Sequence, residues 1–508
     1  MTVRQQRWPI VGLLVACASV TALAAIILSG LRVDADVFGL LGRDDPVVTT
    51  FDTLAEVTPG LGELLIVCAP DKLLGQGTLA QLTAVDGITS HTRTYFEPGK
   101  STVQGFSLAV DPADWRDTRP VLAAVGEILA GAAESCGLTG TPAVVQEMQS
   151  RLNADLGKAL AIAAVLVSLM FAFVYRIGLL ALLMLVPVAA GISWGLAAYT
   201  LLRGELTLLA ATVPTLLIGI GIDHCIHLIQ SCRYSMAQDG LHRTDAVLLA
   251  WRRLLPPITL ASLTTATTFL TLTAASLRGL ADLGWSGALV TLGVYAACVS
   301  LLPAILLLTP EKWLTRRAAF DEPIRTLAHS LRKRAGPLAA LFLVMGVLSF
   351  VGITRLESID DNRLLESGDL PSLELQERIA QEHGLSSSPI LLRFASTNDS
   401  IELLAEPDRP ITIGSLFNVR ETPGLVQVHP LDNVFVRRNF QAIEATLANW
   451  IGSLELGDYE LSGEPVINER INELVYRDVR VVIPAAIFAV LVVLAIGSRS
   501  LLRPCLAL

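Results

Sequence analysis

The sequence predicts an α-helical polytopic membrane protein carrying two extracytoplasmic α+β domains. Three observations predict it: a depleted charge content, a series of long apolar runs, and an internal duplication. Of the 508 residues, 52% are hydrophobic and only 17% are charged, with a mean hydropathy of +0.56. Ordinary soluble domains carry roughly 25% charged residues.

Eight runs are apolar enough to span a bilayer: Pro9–Gly30, Ala159–Tyr175, Leu179–Leu201, Leu206–Ile229, Ile258–Leu277, Leu283–Leu308, Pro337–Ile353 and Val481–Ile496. About 20 apolar residues suffice for one crossing. The first run follows Arg4 and Arg7. It exceeds the apolar core of about 7–15 residues typical of a signal peptide, so it reads as a retained anchor.

Basic residues mark the cytoplasmic side. Arg4, Arg7 and Arg176 lie there if each run crosses once, with Arg233, Arg243, Arg252 and Arg253 between spans four and five. Lys312, Arg316, Arg317, Arg325, Arg332, Lys333 and Arg334 fall on the same side, as do Arg499 and Arg503. The link Arg233–Arg253 reads as an amphipathic helix along that surface. The polar blocks Leu31–Lys158 and Thr354–Arg480 then lie outside the cytoplasm. Asp34, Asp36, Asp44, Asp45 and Asp52 open the first block and read as solvated surface, so the net charge of −9 says nothing of nucleic acid. The domain plan is span one in 1–30, a first outside domain in 31–158 and spans two to six in 159–308. A cytoplasmic link (309–336), span seven (337–353), a second outside domain (354–480) and span eight with the start of span nine (481–508) complete it.

A gapless shift of 323 lays Leu138-Thr139-Gly140-Thr141-Pro142 on Leu461-Ser462-Gly463-Glu464-Pro465, Asp155 on Asp478 and Arg176 on Arg499. Each unit is therefore a span, an outside domain and a further span. The second unit reaches Leu508 inside the counterpart of span three, and the counterpart of Asp223 falls at about position 546. That reading favours a truncated chain with an incomplete second repeat. Within the first block, strands at Glu63–Ala69, Thr92–Phe96, Val103–Val110 and Leu138–Gly140 alternate with helices at Thr78–Val85 and Thr118–Ser135. This βαββαβ order is the split ferredoxin-like motif. In the second block, Ile390–Phe394, Leu425–Val428 and Tyr459–Ser462 read as strands and Phe440–Leu454 as a helix. The acidic stretch Ile359-Asp360-Asp361-Asn362 and the loop Glu366–Pro371 lead out of span seven.

The chemistry concentrates in Gly219-Ile220-Gly221-Ile222-Asp223-His224-Cys225-Ile226-His227. A carboxylate at membrane depth costs at least about 2.5–3.5 kcal/mol, so it is retained for function or as hydrogen-bonded glue between helices. Asp223 and His227 are four apart and share a helix face. Desolvation pushes such an acid toward its neutral form while a chargeable partner pulls it back, the balance a proton carrier needs. His224 and His227 are candidate relay members, set against span histidines bonded to carbonyls. Gly219 and Gly221 keep the backbone close to the carboxylate or simply pack small. Ser262, Thr264, Thr265, Thr267 and Thr268 enrich span five in hydroxyls. They either face Asp223 or bond back to their own helix. A metal set of Asp223, His224, Cys225 and His227 is disfavoured, because adjacent residues point to different faces. Of the seven cysteines, five lie in or beside spans, while Cys68 and Cys136 share the first outside domain and could pair in an oxidising compartment. No Gly-Lys-Ser/Thr phosphate loop is present, so neither nucleotide nor other cofactor is expected and energy must come from an ion gradient or a partner.

With these residues in view, the chain resembles the resistance-nodulation-division (RND) superfamily, and within it the MMPL-type and hopanoid-exporter-like lipid transporters that share a core with sterol-sensing proteins. The Asp223 segment is similar to the fourth-span motif, Ala261-Ser262-Leu263-Thr264-Thr265-Ala266 to the fifth, and Leu280-Ala281-Asp282-Leu283-Gly284 and Leu302-Pro303-Ala304 to the start and end of the sixth. The resemblance covers essentially the whole chain. It implies a multi-pass protein of a bacterial inner membrane, with its N-terminus cytoplasmic and both domains periplasmic. It further implies a transporter rather than an enzyme, in which proton import drives export of lipids or hydrophobic metabolites, and it leaves room for a homo-oligomer. The family carries Tyr where this chain has His224, and it pairs two acid-bearing spans of which this chain supplies the first. Alternatives are a lipid-sensing or trafficking receptor, a translocation accessory, and an inactive truncated fragment.

Overall fold

The computed structural model describes residues 7–34, 38–42, 44–57, 63–109, 115–131, 136–175, 178–207, 209–314, 335–353, 370–383, 389–408, 410, 412–418, 423–430, 434 and 436–498. The first half contains α1 (Arg7–Leu28), β1 (Arg32–Asp34), α2 (Pro46–Val57), β2 (Leu64–Cys68), α3 (Gln76–Thr83), β3 (Ile88–Tyr95) and β4 (Thr102–Leu108). It continues with α4 (Trp115–Gly131), β5 (Cys136–Thr139), α5 (Thr141–Tyr175), α6 (Gly178–Arg203), β6 (Glu205–Thr207), α7 (Val213–Gln238), α8 (Arg243–Leu272), α9 (Arg278–Leu308) and α10 (Glu311–Leu314). Then come α11 (Ala335–Ile353), α12 (Pro371–His383), β7 (Ile390–Phe394), α13 (Thr397–Ala405), β8 (Ile413–Asn418), β9 (Leu425–Pro430), α14 (Arg437–Ser453), β10 (Tyr459–Ser462) and α15 (Glu464–Ser498).

These elements form two units. One comprises Met1–Asp34, Asp155–Ser358 and Asp478–Leu508, the other Ala35–Ala154 and Ile359–Arg477. Each of the eight apolar runs is occupied mostly by a helix, although the fourth opens in β6 and its helix begins at Val213, and the fifth runs past the end of α8 at Leu272. Among the described residues six helices are long and apolar enough to cross a membrane, and Gly157–Met170 and Ala339–Ser349 are shorter apolar helices. The duplication is carried into structure: α15 begins and ends 323 residues beyond α5, and β10 lies 323 beyond β5. Gly140 and Gly463, at the strand-to-helix turn of each copy, both have positive φ (92° and 110°). A Cβ at either would strike a carbonyl, Glu63 O at 2.2 Å or Pro389 O at 2.7 Å, so only glycine fits.

In the helical unit the closest crossing is between α6 and α9. A Cβ on Gly191 would meet Val294 Cα at 2.4 Å, and one on Gly195 would meet Val290 Cα at 2.3 Å. Small residues therefore bring the two backbones into contact, the usual means of helix association in lipid. Around this crossing Met184, Val188, Leu217, Ile222, Val290 and Val294 form a buried core. At one end of it, Asp282 is 1% exposed and bonds Arg203 (2.8 Å) with Arg278 at 3.6 Å. The Arg233–Arg253 link does not lie along a surface as a separate helix. Instead α7 runs on to Gln238 and α8 begins at Arg243. The cause is a continuing buried face: Cys232, Ser235, Ala246, Val247 and Ala250 are buried. Trp251 Nε1 also donates to Val299 O at 3.1 Å.

In the polar unit each domain is a four-stranded antiparallel sheet, ordered β3-β4-β2-β5 in the first and β10-β7-β9-β8 in the second. Each strand order maps onto the other across the repeat, with two helices packed on each sheet. Cys68 and Cys136 oppose each other on β2 and β5 and form a disulfide. The domains exchange helices. Leu54 and Phe51 of α2 pack on Leu391 and Leu425 of the second sheet, whereas Leu375 and Ile379 of α12 pack on Val67 and Val103 of the first. Asp45 is not simply solvated: it accepts from Val47 N at 3.0 Å, capping α2, and pairs with Arg470 at 3.4 Å. The acidic stretch at 359–362 and most of the loop at 366–371 lie outside the described residues.

The α12 seam carries a pH prediction. Glu382 Oε2 accepts from both Ser101 N–H (2.7 Å) and Ser101 O–H. Those bonds, the hydroxyl's first, hold its carboxyl below the usual range. A carboxyl lowered by folding stabilises the seam above its unfolded value of about 4.3, and the stabilisation is lost as pH falls through the folded value. Because the group is largely solvated the effect is small. Thermal melts of wild type should fall more steeply on acidification than those of Glu382→Gln; parallel curves would remove this bond from the account.

Candidate proton-relay site

Helix α7 starts where Pro214 enters its first turn, a position that needs no amide donor. Asp223 lies ten residues beyond Val213, so it sits about 15 Å along the axis. That is half the hydrocarbon thickness of about 30 Å. The helix has two faces. Leu217, Ile218, Gly221, Ile222, Cys225, Leu228 and Ile229 are buried against its neighbours. Leu216, Gly219, Asp223, His227, Gln230 and Tyr234 form an exposed stripe at helical spacing.

The motif thus points in three directions. Asp223 and His227 share the open stripe, as their spacing predicts. His224 is buried and turned to α8, where its Nε2 is 2.8 Å from Ser262 Oγ, a hydrogen bond whose direction depends on the imidazole tautomer. Cys225 faces the interior, 3.8 Å from Met184 O and 3.8 Å from the thiol of Cys298. Residues so dispersed do not converge on a metal, and among the described residues no group of three or more His, Cys, Asp or Glu does. A shallow, open depression reaches His224 and is lined by Leu228, Trp251, Leu254, Ile258 and Cys298.

The two glycines separate. A Cβ on Gly221 would meet Val294 Cγ1 at 2.8 Å and Val188 Cγ1 at 3.0 Å, so this glycine packs the core. Gly219 has nothing within 4 Å and lies on the stripe, one turn from Asp223. Of the two readings left open for the span-five hydroxyls, the structure gives back-bonding for Thr264, Thr265 and Thr268. Thr264 and Thr265 Oγ1 both donate to Ala261 O, at 2.8 and 3.0 Å, and Thr268 donates to Thr264 O at 2.9 Å. Ser262 alone of the named hydroxyls is buried and bonded to the motif. The site therefore offers an acid and an imidazole on an open face, with a second imidazole behind them tied to the next helix.

Two buried acids escaped attention as site residues. Asp282 was visible only as part of a motif, and Asp478 only as the repeat partner of Asp155. An acid at the edge of an apolar run was the signal in each case. Compared with curated proteins, the chain finds no match. Compared with protein families, residues 103–336 match the model of the MMPL family.

Proposed function

We propose that this chain, whose residues 103–336 match the model of the MMPL family, is a secondary-active exporter of lipids or other hydrophobic compounds, driven by protons. On this reading the chain is a membrane transporter of the RND type rather than an enzyme. Asp223 is the proton carrier in this reading. His227, one turn along the same stripe, balances its charge, and His224 passes the state of the acid to α8 through Ser262. Gly219 leaves room beside the carboxylate, while Gly221, Thr264 and Thr265 support the relay through the packing and local helix geometry of α7 and α8. The stripe is the face that a second, acid-bearing core would cover in the RND arrangement.

The observation that carries the proposal is a carboxylate at the middle of a span, on the one face of α7 that its neighbours leave open. A proton moving down 100 mV supplies about 2.3 kcal/mol, a useful fraction of the work of drawing an amphiphile from a leaflet. The two sheet domains, of ferredoxin-like strand order, lie outside the cytoplasm. Two features support that side: the Cys68–Cys136 disulfide suits an oxidising compartment, and the basic residues crowd the opposite loops. In this reading the protein sits in a bacterial inner membrane with a cytoplasmic N-terminus.

The test is reconstitution of the native protein into phosphatidylethanolamine–phosphatidylglycerol vesicles under an imposed pH gradient. A pH dye reports proton entry, and a fluorescent fatty acid serves as the lipid probe. Wild type should pass protons and move the probe, Asp223→Asn should fall to the vesicle leak, and His224→Ala should be slowed. Probe movement that persists unchanged in Asp223→Asn overturns the carrier assignment. Saturable probe binding without gradient-driven movement would instead mark a lipid sensor.

A further inference from the structure

Asp478 is a buried acid that the relay does not use. It lies on α15, is 4% exposed, and its Oδ2 accepts from Ser276 N at 2.8 Å and Leu277 N at 2.9 Å. Those amides belong to the turn between α8 and α9. Leu277 is the residue that caps α9 and has no side-chain group able to do so. The turn satisfies its other amides locally, Ala274 N on Thr271 O and Ala275 N on Leu272 O. Leu277 is buried, so its amide needs a protein acceptor, and a carboxylate near a helix N-terminus is favoured by the dipole. The acceptor comes from another span.

Further along, α15 touches the core again at Gly497, where a Cβ would meet Leu260 Cδ1 of α8 at 2.4 Å. Between these points Val481, Ile483, Ile487, Phe488 and Ile496 are exposed. The helix is thus held to α8 and α9 at two separated points, the outer one polar and directional, with little packing between. Ser262, which bonds the relay histidine, lies on the same α8 that leads into the latched turn.

We propose that Asp478 is a positioning residue for transport: its carboxylate fastens α15 to the α8–α9 turn, so that α15 follows that turn when the core changes state. The assignment rests on the transport reading, because it supplies that reading's link between the relay and a span carrying no relay residue. Breaking the latch frees α15 while leaving Asp223, His224 and Ser262 in place.

The experiment is a pulsed electron-spin distance measurement on the full chain in nanodiscs, with labels at Phe488→Cys on α15 and Leu263→Cys on α8 and the free native cysteines changed to alanine. Asp223→Asn imitates the loaded carrier. With Asp478 present, the distance should be narrowly distributed and should shift on Asp223→Asn. With Asp478→Ala it should broaden and lose that shift. Asp478→Asn, which keeps an acceptor oxygen, should restore both and guards against a mere folding defect. A distribution in Asp478→Ala as narrow and as responsive as wild type overturns the latch, and so does a wild-type distance that ignores Asp223→Asn. Failure of the carrier reading itself shows separately, as unchanged probe movement by Asp223→Asn in the vesicle assay.

Discussion

Gly195→Val should prevent stable folding of the helical unit. The new Cβ would fall 2.3 Å from Val290 Cα and 2.7 Å from Leu289 O, both main-chain atoms that cannot swing aside. Side-chain overpacking commonly costs about 1–3 kcal/mol. Here α6 and α9 must separate along their closest crossing, which also uncovers Met184, Val188 and Val294, so the cost should exceed that range. Gly191→Val, facing Val294 Cα at 2.4 Å, should behave alike. Gly219→Ala is the control: nothing lies within 4 Å of its Cβ, and alanine gains up to about 1 kcal/mol of helix propensity. Thermal unfolding in detergent should show the first two variants aggregated or melting far below wild type and the third melting at or slightly above it. A Gly195→Val protein that melts with wild type would mean that α6 and α9 do not cross in this way.

The second large effect is expected from the disulfide. Cys68 and Cys136 are 68 residues apart in sequence and adjacent in the sheet. Closing a loop of that length restricts the unfolded chain enough to contribute about 4 kcal/mol. Cys68→Ser with Cys136→Ser should therefore lower the melting temperature of the polar unit markedly, and reductant should reproduce the loss in wild type. Thiol labelling of wild type before and after reduction gives the direct readout. Two labels gained on reduction are expected in the unfolded protein; labelling of Cys68 without reduction would contradict both the bridge and the oxidising side assigned to this domain.

Hydropathy made the spans legible because burial in lipid leaves a continuous apolar run, and each of the eight runs holds a helix, the fourth only from Val213 onward. The repeat was legible because a glycine in a positive-φ turn and the helix after it recur at one spacing. Shorter elements were not. Helix α13 and strand β8 passed unseen in the second domain, although Ser396 caps α13 by accepting from Asn398 N at 3.2 Å. Helices α2 and α12 passed unseen because their apolar faces serve the other domain's sheet, a relation no local period records. In the site, spacing correctly put Asp223 and His227 on one face. It could not show that this face is open, or that His224 turns to Ser262, 38 residues away in the chain. Thr264 and Thr265 looked like partners for the acid, yet a hydroxyl in a helix can reach its own carbonyl at i−3 or i−4, and these two do.

The central claim is that the carboxyl of Asp223 takes up and gives off a proton within the span. Infrared difference spectroscopy of the native protein in lipid, recorded as pH is stepped downward, reads that event at the carboxyl itself. The account predicts a protonated-carboxyl band that appears on acidification, returns on neutralisation and is missing from Asp223→Asn. A spectrum of wild type indistinguishable from that of Asp223→Asn at every pH would contradict it.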